Sequence, residues 1–513
     1  MKSRKINDAL QSVSDRHLAE AAAAKGRRRY GPWICAVAAA LALVITISAI
    51  GLPGTPSAPS VSGTPTAPPD PSSPSIHTPP VSNVPPTDNS QLAGAWKTGL
   101  LSAPVYPTMV QYPQTQNGLQ YDEAAYEAWK TGQKEQYDQP AGYADGLEDF
   151  FTRLIGLALE NQGENAAVSP INVYLALAML AETAGGETRQ QILDTLGADS
   201  LTHLRTQADH VWNAHYRDDG TGVSILANSL WLDDDFLFRS DTVSTLSQQY
   251  YASVYQGELG SQEMTDALRS WLNEQTGGLL KEQVNGISMD DETMLALAST
   301  INYQMGWQVY FNKNNNTQEI FHSPAGDTVC TFMNMKHGLG TYYYGDDYGA
   351  VAISMEDGGT MWLVLPDEGL TPADILESGK ALNMILQEQD VNTASLYVNL
   401  SLPKFDIADD NELSDALKSM GITDAFEKYD ADFSSIVYNP AYAHVSSIKH
   451  AVRVAIDEEG AAAVSYTVIA LYGATSAPPL ELEEIDFVLD RPFLFVIESA
   501  DGLPMFCGIV NEP

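Results

Sequence analysis

The chain has 513 residues, of which 44% are hydrophobic and 18% charged, and its formal net charge at pH 7 is −39. This acidity excludes nucleic acid as a partner, because phosphate contacts need a basic surface. Only three cysteines occur, at Cys35, Cys330 and Cys507, so a disulfide framework is excluded and stability must come from a large core.

The N-terminus combines a basic segment with an uncharged run. Residues 1–30 hold eight Lys or Arg and three Asp or Glu, and residues 33–52 carry no charge. Twenty apolar residues can cross a bilayer as a helix, and the positive-inside rule keeps residues 1–32 in the cytoplasm. We predict a single-pass membrane anchor over 33–52, with the rest outside the cell. The alternative is a cleaved signal peptide and a secreted protein.

Two further segments precede the body of the protein. Residues 53–90 contain 12 of the 28 prolines, mixed with Ser and Thr. This composition predicts an extended stalk, which at ~3.1 Å per residue reaches roughly 120 Å. Residues 91–142 predict an irregular extension with one short helix over 121–134. The anchor, the stalk and the few cysteines together indicate a bacterial cell-surface protein.

The body of the protein begins near residue 143. Leu147, Phe150, Phe151, Leu154 and Ile155 recur at helical spacing. Helical patterns continue to about residue 290, and strand-like segments such as TMWLVLP and YVNLSLP follow them. This order predicts one α+β domain over 143–513 with large antiparallel sheets.

A segment near the C-terminus is typical of a strand and of a loop at once. Residues 461–480 carry no charge, and 464–469 are rich in β-branched and aromatic residues, as in a buried strand. Gly460 before the segment and Gly473, Pro478 and Pro479 near its end indicate an exposed loop. A segment that is first a loop and later a strand satisfies both patterns.

Blocks around this segment resemble the serpin family of serine protease inhibitors. They include DEEGAAA, DRPFLFVIES and FCGIVNEP near the C-terminus and NAAVSPINVYLALAMLAETAGGETRQQILDTLG at 165–197. ANSLWL, LVLPDEG, LPKFDI and MGITDAFEKYDADFSSI lie between them in the family's order. The resemblance covers residues 143–513. It implies a serpin fold with three β-sheets, eight or nine helices and an exposed reactive centre loop, and a protein that is not an enzyme.

The resemblance also implies a suicide mechanism. A target serine protease cleaves the loop, and the cut loop inserts into the central sheet as a new strand. With Gly460 as the family's hinge glycine, the reactive bond joins Ala474 to Thr475. The expected specificity residues before that bond are Leu471, Tyr472 and Gly473. The expected hinge residues are Glu458, Glu459, Gly460, Ala461, Ala462 and Ala463.

The loop sequence fits insertion independently of the resemblance. Side chains on a strand alternate between faces, so Ala461, Ala463, Ser465, Thr467, Ile469 and Leu471 share one uncharged face that begins with small residues. A charge buried there would cost several kcal/mol. The pattern favours an inhibitor over a non-inhibitory serpin that acts as a binding or carrier protein.

The small residue at the reactive bond predicts an elastase-like target. No Lys or Arg occurs between Gly460 and Asp490, so trypsin-like targets are not expected. If the register slips by two residues, the cut follows Tyr472 and a chymotrypsin-like target is indicated. An acidic run follows the bond and either contacts a basic protease or is only a solvated loop extension; it comprises Glu481, Glu483, Glu484 and Asp486.

A hydrogen-bonded cluster beneath the loop, called the shutter in this family, is expected at Ser169, Asn172, Thr300 and His450. His450 lies ten residues before Gly460, as in the family. Asn172 stands where the family usually has Ser, and Thr300 where it usually has Asn. We therefore expect Asn172 to hydrogen-bond to His450. Trp307 is expected at the top of the opening sheet, although an ordinary core Trp has the same sequence pattern.

Enzyme motifs are absent from the sequence. It contains no G-x-S-x-G, H-E-x-x-H, P-loop or Cys-x-x-Cys pattern, and no histidine pair has metal-ligand spacing. We predict no catalytic residues, no cofactor, no metal and a monomer.

Overall fold

Three β-sheets and ten α-helices make up the part of the chain that the structure describes. The structure is a computed structural model that describes residues 39–48, 99–113, 122–160, 163–439, 442–461 and 483–513. The α+β class and the three sheets predicted from the sequence are confirmed. The described residues contain ten helices, where eight or nine were expected.

One helix, α3, is buried throughout, and α2, α4, α5 and α6 pack against it. All of its 14 residues are buried, and its sequence is mainly apolar around the whole helix, as expected for a buried helix. Pro170 occupies its first turn, where the missing N–H breaks no helical hydrogen bond. The helices are α1 Glu123–Tyr137, α2 Glu148–Ala158, α3 Pro170–Thr183, α4 Gly186–Thr195, α5 Leu201–His215, α6 Ser240–Gln249, α7 Gln262–Gln275, α8 Pro372–Ser378, α9 Lys380–Gln387 and α10 Ser414–Met420.

The largest sheet has nine strands and carries the candidate site. Its strands are β1 Ala39–Ser48, β2 Leu100–Ser102, β4 Arg217–Asp218, β5 Val223–Asp233, β6 Ala252–Gly257, β7 Thr293–Gly306, β15 Phe405–Glu412, β16 His444–Asp457 and β17 Gly460–Ala461. The order across the sheet is β1-β16-β17-β7-β5-β6-β2, with β15 paired to β16, β4 to β5 and β1 also to β7. β1 is antiparallel to both β7 and β16. We call the strand position between β7 and β16 the slot.

The other two sheets are smaller. A seven-stranded sheet has the order β13-β10-β11-β12-β19-β20-β3, and a four-stranded sheet the order β18-β14-β9-β8. Their strands are β3 Ala166–Val168, β8 Thr317–Ser323, β9 Gly326–Leu339, β10 Tyr342–Tyr344, β11 Tyr348–Ser354, β12 Thr360–Pro366, β13 Thr393–Ala394, β14 Tyr397–Pro403, β18 Glu484–Val488, β19 Phe493–Glu498 and β20 Pro504–Val510.

Two hydrophobic clusters place the central sheet in the interior. The larger cluster joins it to α3 and the seven-stranded sheet and includes Ile45 of β1. The smaller cluster includes Trp271 of α7, Trp231 of β5 and Ala451 of β16. The sheet is therefore covered on both faces near the slot, which explains its near-continuous apolar strands.

The structure differs from the predicted membrane anchor. Residues 39–48 of the uncharged run 33–52 form strand β1 in the slot. An uncharged run of Ala, Leu, Val and Ile suits a buried strand as well as a bilayer, because both environments exclude charge. Among the described residues, none of the helices has the length and apolarity that a membrane span requires. The rest of the run lies outside the described residues, and the anchor stays a prediction.

The described part of the extension 91–142 packs against the body. Strand β2 pairs with β6, and α1 contains most of the helix predicted over 121–134. Trp129 and Gln133 of α1 both donate to the carboxylate of Asp219, at 2.9 and 2.6 Å. Asp219 also pairs with Arg217 at 3.2 Å, and both side chains are buried. Although burial opposes it, this guanidinium holds the pKa of Asp219 below its usual value.

We expect Asp219→Asn to destabilise the domain by about 3–5 kcal/mol, because it leaves the buried Arg217 charge without its partner. Chemical unfolding followed by tryptophan fluorescence measures the loss. The matched control is Asp218→Asn at the neighbouring, partly exposed position, which should cost about 0.5 kcal/mol or less. Equal effects of the two variants would contradict a structural role for the Arg217–Asp219 pair.

Candidate functional site: the hinge and the slot

The predicted hinge already enters the central sheet. β16 ends at Asp457, and after a turn Gly460 and Ala461 pair with both β16 and β7. Gly460 has φ +141°, and a Cβ there would lie 2.2 Å from the carbonyl oxygen of Met305. Only glycine fits this position, because a side chain would meet both steric strain and the β7 backbone.

Trp307 holds the turn that leads into the hinge. It follows β7 directly and is fully buried. Its indole N–H donates to the Asp457 carbonyl at 2.8 Å, and its backbone N–H donates to the Glu459 carbonyl at 3.1 Å. A third backbone bond, from Phe311 N–H to the Glu458 carbonyl, measures 3.2 Å. The hinge is thus fixed to the segment after β7 by main-chain contacts that do not depend on its side chains.

Glu458 is a buried hinge carboxylate with two partners. Its side chain is 2% exposed, and its Oε1 lies 2.6 Å from Lys404 Nζ and 2.5 Å from Asn316 Nδ2. Burial alone would raise the pKa of Glu458, but these two donors hold it below its usual value. The next residue, Glu459, pairs with Lys313 at 2.8 Å in a more exposed position. Glu458 and Lys404 therefore join the hinge to the end of β14.

His450 lies in the middle of β16, buried beside the slot. Its Nε2 accepts the backbone N–H of Ser169, at 3.3 Å. The proton of the neutral ring therefore lies on Nδ1, which has no partner among the described residues. Burial lowers the pKa of His450 to about 3, so the ring is neutral at physiological pH.

The expected hydrogen bond between Asn172 and His450 is wrong. Asn172 pairs with Ser299 of β7 instead: its Nδ2 donates to the Ser299 carbonyl at 3.1 Å, and the Ser299 hydroxyl donates to its Oδ1 at 2.6 Å. Both described side-chain hydrogen bonds of Asn172 go to Ser299, and none goes to His450. The hydroxyl of Thr300 is buried and has no partner among the described residues. The shutter thus links α3 to β7 through Asn172 and to β16 through Ser169.

A family model described as Serpin (serine protease inhibitor) matches residues 146–513. The chain belongs to the serpin family. As a family, serpins are inhibitors of serine proteases rather than enzymes, as the resemblance in the sequence implied.

Individual serpins are similar over nearly their whole length. Serpin-Z1C of Triticum aestivum is 27% identical over 371 residues, which cover 69% of this chain and 91% of that protein. Serpin-ZXA of Oryza sativa subsp. japonica is 30% identical over 372 residues, or 68% of this chain and 91% of the relative. The native state of the thermophilic serpin tengpin aligns with a TM-score of 0.61 and 23% identity, covering 73% of this chain and 95% of tengpin. Both sequence relatives are plant proteins, and a bacterial source stays a prediction.

The structure describes some of the predicted serpin residues and not others. It brings together Ser169, Asn172, Thr300 and His450 around the slot, and it places Glu458, Glu459, Gly460 and Ala461 at one end of it. Glu484 and Asp486 lie in β18, where Asp486 accepts from Asn399 at 2.9 Å. Outside the described residues lie Ala462, Ala463, Leu471, Tyr472, Gly473, Ala474, Thr475 and Glu481.

Sequence reasoning missed three residues of the site. Lys404 lies inside the LPKFDI block, and a lysine between the apolar residues Pro403 and Phe405 was a usable signal for a buried partner. Asn316 and Ser299 gave no such signal, because their roles depend on which strand lies beside them. The occupancy of the slot by β1 was also missed.

We expect Lys404→Met to destabilise the native state by about 3–5 kcal/mol, since the buried Glu458 carboxylate loses its cation. The double variant Lys404→Met/Glu458→Gln should recover most of this loss, because no buried charge remains. Thermal unfolding at pH 7.5 gives the comparison. Lys313→Met is the matched control: its pair with Glu459 is half-exposed and should be worth about 1 kcal/mol or less. A Lys404 variant no weaker than the Lys313 variant would refute the role of the buried pair.

The low pKa of His450 predicts acid sensitivity. The unfolded histidine binds a proton below about 6.5, whereas the folded one does so only near 3. Between these values the unfolded state binds more protons, so stability falls as the pH falls, by up to ~1.4 kcal/mol per pH unit. His450→Gln should flatten the decline of the urea midpoint between pH 7 and pH 4.5. The test is the slope rather than the absolute stability, and parallel profiles for the two proteins would exclude His450 as the cause.

Proposed function

We propose that this serpin inhibits a serine protease outside the cell by trapping it after cleavage of the reactive loop. The attacking serine of the protease bonds to the carbonyl carbon of Ala474. The bond from that carbon to the nitrogen of Thr475 breaks, and the new amine takes up a proton. The loop, now held to the protease by an ester at Ala474, then enters the slot as a strand and carries the protease along the sheet.

The position of the hinge is the observation that carries this proposal. Gly460 and Ala461 lie between β7 and β16, so the first step of loop insertion has a strand partner on each side. Once the slot is free, the backbone that follows can continue the same ladder without any new turn. A hinge packed elsewhere on the surface would have to leave that place before insertion could start.

The sequence beyond the hinge supports an inhibitor rather than a carrier. The residues on the face shared with Ala461 start small and carry no charge, so their burial does not require the desolvation of a charge. The three alanines at 461–463 add no bulk at the point where insertion begins. The side chains of this loop therefore present neither a charge nor bulk at the point where insertion begins.

Elastase-like proteases are the proposed targets. Ala474 offers a small apolar side chain to the primary specificity pocket of the protease, and elastase-like pockets accept such residues. Leu471, Tyr472 and Gly473 would occupy the neighbouring subsites. A cut after Tyr472 instead would indicate a chymotrypsin-like target.

Location outside the cell is part of the proposal. The uncharged run 33–52 would either anchor the chain with the domain outside or act as a cleaved signal for secretion. In the anchored form the proline-rich stalk 53–90 would separate the domain from the membrane. The proposal does not depend on which of the two forms is present.

The experiment is incubation of the full chain with elastase, chymotrypsin and trypsin. We expect an SDS-resistant complex with elastase and a released fragment that begins at Thr475. Ala463→Arg should reduce the fraction of complex at least about tenfold and yield cleaved serpin instead, because the charge would be buried on insertion. Ala462→Arg, on the opposite face, is the matched control and should retain the complex.

Two results would contradict this function. The first is cleavage of the loop with full release of active protease by every enzyme tested. The second is a cleaved protein that melts no higher than the intact one in all variants, since insertion of a strand must stabilise the sheet. Together they would favour a binding or carrier protein.

A further inference from the structure

Strand β1 lies in the slot over all of its ten residues and fills most of the slot. Nine of its ten residues pair with β16, from Ala40 opposite Arg453 to Ser48 opposite His444. They pair with β7 from Ala39 opposite Tyr303 to Ser48 opposite Thr293. Since β1 is antiparallel to both neighbours, it runs in the direction that an inserted loop continuing from β17 would take.

The register shows which loop residues β1 replaces. On β7, Gly460 faces Gly306 and Ala461 faces Met305, so continuing one partner per residue puts position 464 opposite Asn302. On β16, Ala461 faces Ile456, which puts position 464 opposite Arg453. Ala40 faces these same two residues, Asn302 and Arg453. Both neighbours therefore give one equivalence for residues 40–46, and β7 extends it by one residue at each end, so that residues 39–47 occupy the places of loop residues 463–471.

The contacts of β1 are those of a strand that packs in the core and hydrogen-bonds to its neighbour. Ile45 is fully buried in the main hydrophobic cluster, at the place of Ile469 in the loop. The hydroxyl of Thr46, the next residue, lies 2.8 Å from that of Ser446 and 2.9 Å from that of Ser447, both on β16. In the sequence, the residues at even spacing from Ile45 are Ala39, Leu41, Leu43 and Ile47, an apolar period-2 pattern that suits a strand with this face in the core.

The chain can supply β1 to its own slot. Ser48 leaves the slot at the level of Thr293, and the chain is next described at Gly99, whose carbonyl accepts from Gln256 of β6 at 2.8 Å. These points lie at the same end of the sheet and about four strand spacings apart, roughly 19 Å. The 50 residues 49–98 are far more than this distance requires.

We propose that residues 39–48 are a built-in occupant of the slot, and that the reactive loop can insert only after this segment has left. The proposal rests on the proposed function, because it assumes that the cut loop inserts there. While β1 is seated, residues 463–471 have no strand position to enter. A protease that cuts the loop in that state completes the cleavage and departs, so the chain behaves as a substrate.

Locking the segment in place tests the occupancy directly. Thr46→Cys/Ser447→Cys joins two facing positions whose hydroxyl oxygens are 2.9 Å apart, close enough for a disulfide after small adjustments. Cys35 and Cys330 are replaced by Ser in this background, and the two single-cysteine variants are controls. We expect mild oxidation of the full chain to give an intramolecular crosslink, identified by peptide mapping of the monomer band.

Cleavage of the loop by any protease then shows whether the slot is free to accept the loop. This measurement does not require that the protease be inhibited. After cleavage the oxidised double variant should show no rise in Tm, and the single-cysteine variants should show one. Reduction of the disulfide should restore the rise. With elastase, the oxidised form should give at least about tenfold less SDS-resistant complex than the reduced form. A tenfold change corresponds to a free-energy difference of about 1.4 kcal/mol in favour of the seated segment.

A variant that releases residues 39–48 from the slot should form more complex than the wild type, the opposite of the disulfide-locked form. Ile45→Asp would place an unpaired carboxylate in the core when β1 is seated, so the seated population should fall by on the order of 100-fold. The variant should form more complex per cleavage than the wild type. Val37→Asp is the matched control: it puts the same charge into the same uncharged run, but outside β1. If the two variants behave alike, the effect comes from the run as a whole and not from the slot, and the proposal is wrong.

The outcomes distinguish a failure of the slot occupancy from a failure of the proposed inhibitory function. Absence of the monomer crosslink overturns the occupancy, and a crosslink found only in dimers shows that a second copy supplies β1. A crosslinked protein whose Tm still rises after cleavage overturns the exclusion of the loop. If the crosslink forms and blocks the rise in Tm, yet no variant traps any protease, the occupancy stands and the inhibitory function fails.

Discussion

Strands β7 and β16 are parallel to each other, and each has a hydrogen-bonding edge that faces the one strand position between them. Backbone N–H and C=O groups buried without partners are costly, so this position has to be filled or closed. In the structure the hinge fills one end with Gly460 and Ala461, and β1 fills most of the rest. The stability of the central sheet and the fate of the reactive loop therefore depend on which segment lies in the slot.

The contacts around the slot fall into two groups with different consequences for motion. Trp307 holds the hinge through backbone carbonyls, and the Glu458–Lys404 pair joins the hinge to β14. Both can persist while the loop enters, because neither lies in the path of the new strand. Ser169, Asn172 and Ser299 instead join α3 to the two strands that flank the slot. Any change in the spacing of β7 and β16 must alter these shutter contacts, and so the energy of inserting a strand depends on them.

The sequence predicts the local features of this site better than contacts between residues that are far apart in the chain. Gly460 and the family blocks around it could be recognised because a local backbone requirement, φ +141° against Met305, leaves glycine no substitute. The partner of Asn172 could not be predicted, because Ser299 is 127 positions away in the chain and only the packing of α3 against β7 brings the two together. Lys404 and Glu458 are 54 positions apart, and only the pairing of strands brings them together. The run 33–52 was ambiguous for a deeper reason, since a bilayer and a buried strand select the same residues.

A membrane span and a strand in the slot exclude each other, as the lengths of the segments show. A membrane-spanning helix needs about 17–25 consecutive apolar residues. With 39–48 in the slot, the uncharged run keeps only six residues before β1 and four after it, and neither piece can cross a bilayer. The backbone of 39–48 also cannot satisfy its hydrogen bonds within a helix and to β7 and β16 at the same time. In a single molecule, residues 39–48 therefore cannot both span a membrane and lie in the slot. If a bilayer takes up the run, β1 cannot occupy the place that we propose for the cleaved loop.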